Sequence, residues 1–406
     1  MFINRSKGLH NHVKFLGVGD DDSVENFNDS FICDKDVHKA AELIIEVVRS
    51  QIFSGKVFLI TGPTGCGKTA LTVALSEELG SKFPFVSKSA SDFNSNEIKN
   101  TEILEESLRK AILVKIYEVK DIYEGEVTSF DENNITIRSL KGTKTFKLSK
   151  ELQDQISYQM LRVGDVVHID SSSGILKKMG RSESCMNDFD LEAERYVPLP
   201  KGEIYKRREF IQETTLHDLD ISQVNPTGQD NLSLIHQIVS NKKFEITDKL
   251  RNDVDNLVIS NQNCEVFFGV LHIDNAHLLD KKTLLYLKKA IDLSCCPTII
   301  LTVDIEKENI HNNAERLFYG MPQDLLNKCL VIPMKKNDIK TEKLIIEKRL
   351  KKDQVITDNQ TLEYFYKLCS EKGLIYVIEI ISLLRSYDKI IQISDVEEIT
   401  SIFSSI

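Results

Sequence analysis

Apolar residues recur at helical spacing over 39–54, where Ala41, Ile44, Ile45, Val48 and Ile52 share one side. A short apolar run at 56–61 then enters a glycine-rich turn, and Ala70, Leu71, Ala74, Leu75 and Leu79 restore the helical period over 69–79. The order is helix, strand, loop, helix. From about residue 123 the pattern becomes short alternating runs at 125–130, 135–139, 143–148, 165–169 and 175–178, separated by turn signals such as DENN, LKG and SSSG. Five short strands in one segment predict a small barrel of the OB type. Buried-strand runs at 266–273 and 298–303, with a helical stretch at 281–292 between them, mark the return of an α/β core. Beyond Pro333 the spacing predicts four helices, at 338–350, 358–370, 375–387 and 394–403.

Length and composition narrow this picture. A chain of 406 residues, 41% hydrophobic and 28% charged, has room for two to three globular domains. A net charge of −10 excludes a uniformly basic, nucleic-acid-coating surface and leaves such contact to local patches. The eight cysteines form no CxxC pair and no apolar leader opens the chain, which predicts a reduced, intracellular protein. Apolar runs are strand-sized, so no membrane span is expected.

The chemistry starts at GPTGCGKT. Gly62, Pro63, Thr64, Gly65, Cys66, Gly67, Lys68 and Thr69 match the phosphate-binding loop in full, between a predicted strand and a predicted helix. Glycines let backbone N–H groups approach phosphates at a helix N-terminus, Lys68 supplies a cation for the outer phosphates of ATP, and Thr69 offers a hydroxyl to Mg²⁺. Such a loop needs a carboxylate at a neighbouring strand end to help hold the metal, and Asp274, directly after an apolar run, is the candidate. More than 200 residues separate Lys68 from Asp274, too many for one crossover, so the strand-rich segment must be inserted into a discontinuous nucleotide-binding domain.

Several strings resemble the RuvB-like ATPases of the Pontin type almost end to end: TALTVALSEELGSKFPF from Thr69, EIKNTEILEESLRKAI from Glu97, FDLEAERYVPLPKGE from Phe189, TLHDLD from Thr215 and GVLHIDNAHLLD from Gly269. The resemblance implies an AAA+ ATPase, nominally a DNA helicase, in a hexameric or dodecameric ring with a Reptin-like paralogue. It further implies work in chromatin remodelling, transcription, DNA repair and ribonucleoprotein assembly, and a nuclear address with the cytoplasm second. It makes His10 and His12, in LHNHVKFLG, the pair that closes over adenine; without it, two histidines in a polar arm read as solvated. The implied layout is α/β: an AAA+ P-loop core over 1–119 and 266–335, an inserted domain with an OB-like barrel over 120–265, and a C-terminal α-helical lid over 336–406.

Four catalytic positions depart from the family pattern. Its DEVH tetrad reads Asp274, Asn275, Ala276, His277 here, so the glutamate that positions water is absent; Asp304 stands where the sensor strand carries asparagine. Lys328, in LLNK, replaces the arginine finger that acts in trans on the neighbouring subunit, and Ile375, in GLIY, replaces a sensor arginine. Losing a general base costs roughly 10²- to 10⁴-fold and losing an arginine finger roughly 10³- to 10⁵-fold. Either Asn275 and Asp304 have exchanged acid and amide, with Asp304 still orienting water, or the site has decayed. Weakened hydrolysis is thus the first reading and a non-hydrolysing, nucleotide-gated scaffold the second. A third, a nucleic-acid module contacting DNA or RNA, rests on Arg138, Lys141, Lys144, Lys147, Lys177, Lys178 and Arg181 in the insert, with Phe130, Phe146 and Tyr158 as stacking or barrel-filling aromatics.

Overall fold

The computed structural model describes residues 31–52, 55–96, 98–131, 134–148, 150–170, 174–182, 196–199, 203–224, 246–293, 295–304, 320–385 and 391–403. The chain forms two compact units. The first opens with α1 (Lys35–Ser50), β1 (Val57–Gly62), α2 (Lys68–Leu79), β2 (Phe85–Ser89) and α3 (Asn100–Lys110). The long strand β3 (Ile112–Phe130) leads into the second, with β4 (Asn134–Ser139), β5 (Gly142–Lys147), α4 (Lys150–Tyr158), β6 (Asp165–Asp170), β7 (Ile175–Ser182), β8 (Tyr196–Val197) and β9 (Tyr205–Thr215). Back in the first come α5 (Leu216–Val224) and α6 (Asp248–Ser260); β10 (Cys264–Phe268) starts in the second unit and ends in the first, and β11 (Val270–Asp274), α7 (Lys281–Ile291), β12 (Thr298–Asp304), a short helix at Gln323–Leu326 and β13 (Cys329–Pro333) follow in the first. Four helices end the chain: α8 (Ile339–Lys352, leaving the single turn at Gln323–Leu326 unlabelled), α9 (Asn359–Lys372), α10 (Leu374–Leu384) and α11 (Ile393–Ile402).

The first unit is built on a wholly parallel sheet of order β13-β1-β12-β11-β2. Every residue of β1 and β12 is buried, as parallel strands covered on both faces require. Alternation sorts their side chains: Phe58, Ile60 and Ile300 join α1 and α2 on one face, whereas Leu59, Leu301 and Val303 join α3 and α7 on the other. The register sets Gly62 of β1 against Asp304 of β12, and Ile273, just before Asp274, against Leu301. The carboxyl ends of these strands therefore bring the loop after β1, Asp304 and Asp274 to one edge of the sheet, the usual place for a ligand in an open α/β sheet.

The final helices lie where the spacing put them and enclose a core of Ile346, Leu350, Phe365, Leu368, Val377, Ile381, Leu384 and Val396. The apolar α10 packs against the other three.

The second unit comprises Lys115–Glu213 with Gln262–Glu265, so residues 214–261, expected in the insert, belong with the first unit. Their helices α5 and α6 pack on each other and α5 on α3. The buried Arg109 of α3 holds Asp220 through paired hydrogen bonds, one of 2.7 Å from Nη2, and lies 3.0 Å from Asp255. Arg251, also buried, holds Glu102 and Glu105. Charges this far from water need partners, and these ones lie on elements far apart in the chain.

In the second unit the strands run β5-β4-β3-β6-β7-β8, with β9 and β10 also pairing β3, over a core of Val127, Ile135, Ile137, Val167, Ile169 and Leu176. The long β3 exceeds the short run expected at 125–130, and β9 was not anticipated at all. Its mostly exposed residues, YKRREFIQETT, hide the strand period behind charge. Phe146 packs against this core, while Phe130 and Tyr158 are exposed.

Two outcomes follow for stability. Arg109→Met leaves the fully buried Asp220 carboxylate without its main partner and lowers unfolding free energy by roughly 3–5 kcal/mol in urea titrations. Burial already raises the Asp220 carboxyl above its ordinary range, against the pull of Arg109. A carboxyl whose folded pKa exceeds its unfolded one destabilises increasingly as pH rises past the unfolded value, so the loss is smaller at pH 5 than at pH 8. Within the second unit Lys115 Nζ and Glu213 Oε1 are 2.7 Å apart, so the chain leaves and returns at neighbouring points. Replacing 116–212 by a short Gly-Ser linker therefore preserves cooperative thermal unfolding of the remainder.

Candidate functional site

Between β1 and α2 the chain turns through Gly65 (φ +83°) and Gly67 (φ +94°), left-handed positions at which a side chain is strained. Gly62 is close-packed as well: a Cβ there would stand 2.7 Å from Met334 O and 2.8 Å from Cys66 Sγ. These constraints bring the loop back on itself and start α2 at Lys68, with Thr69 in its first turn.

The loop floors a cavity of about 250 Å³ lined by Thr64 to Ala70, Asp274, Asn275 and Asp304. Its apolar wall comes from Phe31 and Ile32, from Ile345 of α8 and from Leu374, Ile375 and Ile378 of α10; Asn337 and Lys348 add polar edges. A phosphate cradle beside an aliphatic and aromatic wall suits a nucleotide, with base and phosphates at opposite ends.

Lys68 is almost fully buried, and its ammonium makes three close contacts, to Gly62 O at 2.7 Å, Pro63 O at 2.8 Å and Asp304 Oδ1 at 2.7 Å. Asp304 is equally buried. Cys66 Sγ lies 3.8 Å from Nζ, and burial pushes this thiol up despite the cation.

Asp274 is oriented from behind. Thr302 Oγ1 donates to its Oδ1 at 2.5 Å and the Asn275 N–H donates to the same oxygen at 3.1 Å. Asn275 itself sits in the left-handed region (φ 55°, ψ 44°), which asparagine tolerates better than most residues. His272, two residues earlier, is wholly buried with Nδ1 2.9 Å from Ser87 Oγ; burial lowers its pKa to about 4, so it is neutral at pH 7 and part of the packing.

The donors present fit ATP and Mg²⁺. Thr69 offers a hydroxyl and Asp274 a positioned carboxylate, and among the described residues no three His, Cys, Asp or Glu side chains converge into a self-sufficient metal site. A hard cation that keeps several waters and takes phosphate oxygens matches so sparse a protein contribution.

The structure thus brings Thr64 to Thr69, Asp274, Asn275 and Asp304 to one cavity, while Gly62 and Pro63 meet it only through their carbonyls on Lys68. Lys328 stands apart, on the surface, ion-paired to the exposed Asp292 at 2.5 Å. Ile375 does line the cavity, over Gly65, where it presents a methyl-bearing side chain in place of a guanidinium. His10 and His12 lie outside the described residues. Missed from sequence were Phe31, Ile345, Lys348, Ile378 and Thr302. Only Thr302 left a signal, as a hydroxyl inside the aliphatic strand TIILTVD.

The basic residues of the second unit are largely engaged there. Arg138 pairs with Glu126 at 3.1 Å, Lys178 with the buried Asp165 at 2.9 Å, and Lys144 sits over the Tyr123 and Phe146 rings at 5.0 and 5.4 Å. Lys147 and Lys177 are exposed. Among the described residues no helix is long and apolar enough to cross a membrane.

Comparison with known proteins accounts for this arrangement. Residues 6–340 match the family model of the TIP49 P-loop domain. The chain is 41% identical to RuvB-like protein 1 of Encephalitozoon cuniculi, with 97% of each chain covered. It is 35% identical to RuvB-like helicase 1 of Kluyveromyces lactis over 97% of this chain and 92% of that one, and 34% identical to RuvB-like protein 1 of Arabidopsis thaliana with the same shares covered. A complete phosphate-binding loop on a parallel α/β sheet, matched in sequence from end to end, makes this chain a Pontin-type member of the RuvB-like AAA+ ATPase family.

Proposed function

We propose that this chain is an ATP-binding subunit of a RuvB-like ring whose own hydrolysis is weakened. One observation carries the reading: an intact phosphate-binding loop faces Asp274 across a cavity with a base-sized apolar wall. ATP would lie with its phosphates on the loop amides and Lys68, and Thr69 and Asp274 would hold Mg²⁺, which neutralises charge on the outer phosphates. In this role α8 to α11 act as the lid, since α8 and α10 supply one side of the cavity. The second unit is the OB-like insert of the family. Ring assembly with a Reptin-like paralogue, work in chromatin remodelling and ribonucleoprotein assembly, and a nuclear location follow from family membership.

Hydrolysis requires a group that orients water towards the γ-phosphorus as the bond to the bridging oxygen breaks. Asn275 cannot accept the proton as a glutamate would. The other carboxylate near that position, Asp304, is engaged with Lys68 at 2.7 Å, which disfavours the idea that acid and amide exchanged roles. This engagement favours a second reading, in which the chain is a nucleotide-gated scaffold that binds ATP without turning it over.

Lys68→Ala weakens ATP binding by roughly 10- to 100-fold in fluorescent-nucleotide titration, because the cation facing the phosphates is gone. Undiminished affinity in that variant would remove the site assignment. Asn275→Glu combined with Asp304→Asn raises the single-turnover rate by about 10²-fold or more, measured with the paralogue present, since it restores a base and releases Lys68. A rate equal to that of the parent chain would favour the scaffold.

A further inference from the structure

Lys68 is the P-loop cation, and its three ammonium hydrogens already have three acceptors within 2.8 Å: two loop carbonyls and the Asp304 carboxylate. The carbonyls of Gly62 and Pro63 belong to the loop and stay with it whatever it binds. Asp304 is different in kind. It is a carboxylate, is buried, and its backbone is held against Gly62 by the register of two central strands.

We propose that Asp304 makes this site selective for a nucleoside diphosphate over the triphosphate. The inference rests on the nucleotide-binding reading above and adds which nucleotide is kept. Loop amides and Lys68 together cradle the β- and γ-phosphates, so either nucleotide takes its hydrogen bond from Lys68 in competition with Asp304. ATP alone adds the γ-phosphate, a further anionic group brought to the lysine beside that buried carboxylate. Among the described residues the charged groups lining the cavity reinforce this: Lys68 and Lys348 are balanced by Asp274 and Asp304, so apart from bound Mg²⁺, common to both nucleotides, this lining gives no surplus positive charge to the extra anionic group of ATP. With asparagine at 304 the same lining is one charge more positive and Lys68 loses its competitor.

Calorimetric titration of the full-length chain with ADP and with ATP, each in excess Mg²⁺, tests this, and the β,γ-imido analogue of ATP serves as a check that is not hydrolysed. The expected result is ADP binding about tenfold or more tighter than ATP, the lower end of what one close like charge does to an ionic equilibrium. In Asp304→Asn, ATP and its analogue tighten by about the same factor and ADP by clearly less, so the ratio of the two affinities falls towards one. Equal affinities in the parent chain overturn the proposal without recourse to any variant, and so does a preference for ADP that persists undiminished in a folded Asp304→Asn protein. Failure of the underlying reading looks different: a folded parent chain that binds neither nucleotide removes both. If both nucleotides bind equally and Lys68→Ala weakens both, nucleotide binding stands and the selectivity falls.

Discussion

The parallel register of β1 and β12 is the constraint on which the site depends. It places Gly62, the first residue of the phosphate-binding loop, directly against Asp304, the last residue of the neighbouring strand. Both strands are buried throughout, and a slip of one residue would exchange the side chains of the two apolar faces, so the pairing has no freedom to shift. Lys68, six residues on from Gly62, returns over the loop and meets Asp304 as a direct result. A charge pair this secluded is held by geometry that the whole sheet enforces.

Around that fixed edge stand the other groups of the site. Asp274 keeps the orientation of a metal-assisting carboxylate because Thr302 and the Asn275 N–H both donate to it. The left-handed backbone at 275 suits asparagine sterically but leaves the position without a base. Ile375 keeps the cavity closed with aliphatic surface while giving up a charge, and Lys328 keeps a charge but spends it on Asp292.

The first unit is also tied together by buried charge away from the site. Arg109 and Arg251 link α3 to α5 and α6. Such pairs add less net stability than apolar packing of equal volume, but they penalise any arrangement that separates them. That explains how helices beyond the inserted unit return to one position on the core.

Much of this was legible in the sequence because it is local. Gly62 to Thr69 declares a phosphate loop since only glycines accept its backbone angles, and the four terminal helices follow from apolar spacing that a helix alone can bury on one side. Charged β9 was hidden, because a strand whose residues face solvent carries no apolar period. Tertiary structure alone decided that α5 and α6 join the core, that Phe31, Ile345 and Ile378 wall the cavity, and that Asp304 faces Lys68. The sequence determined by itself that a nucleotide loop exists and which residues stand at 274, 275, 304, 328 and 375. What those residues do depended on strand register and helix packing, which arise from contacts between residues hundreds of positions apart and leave no trace in the local pattern.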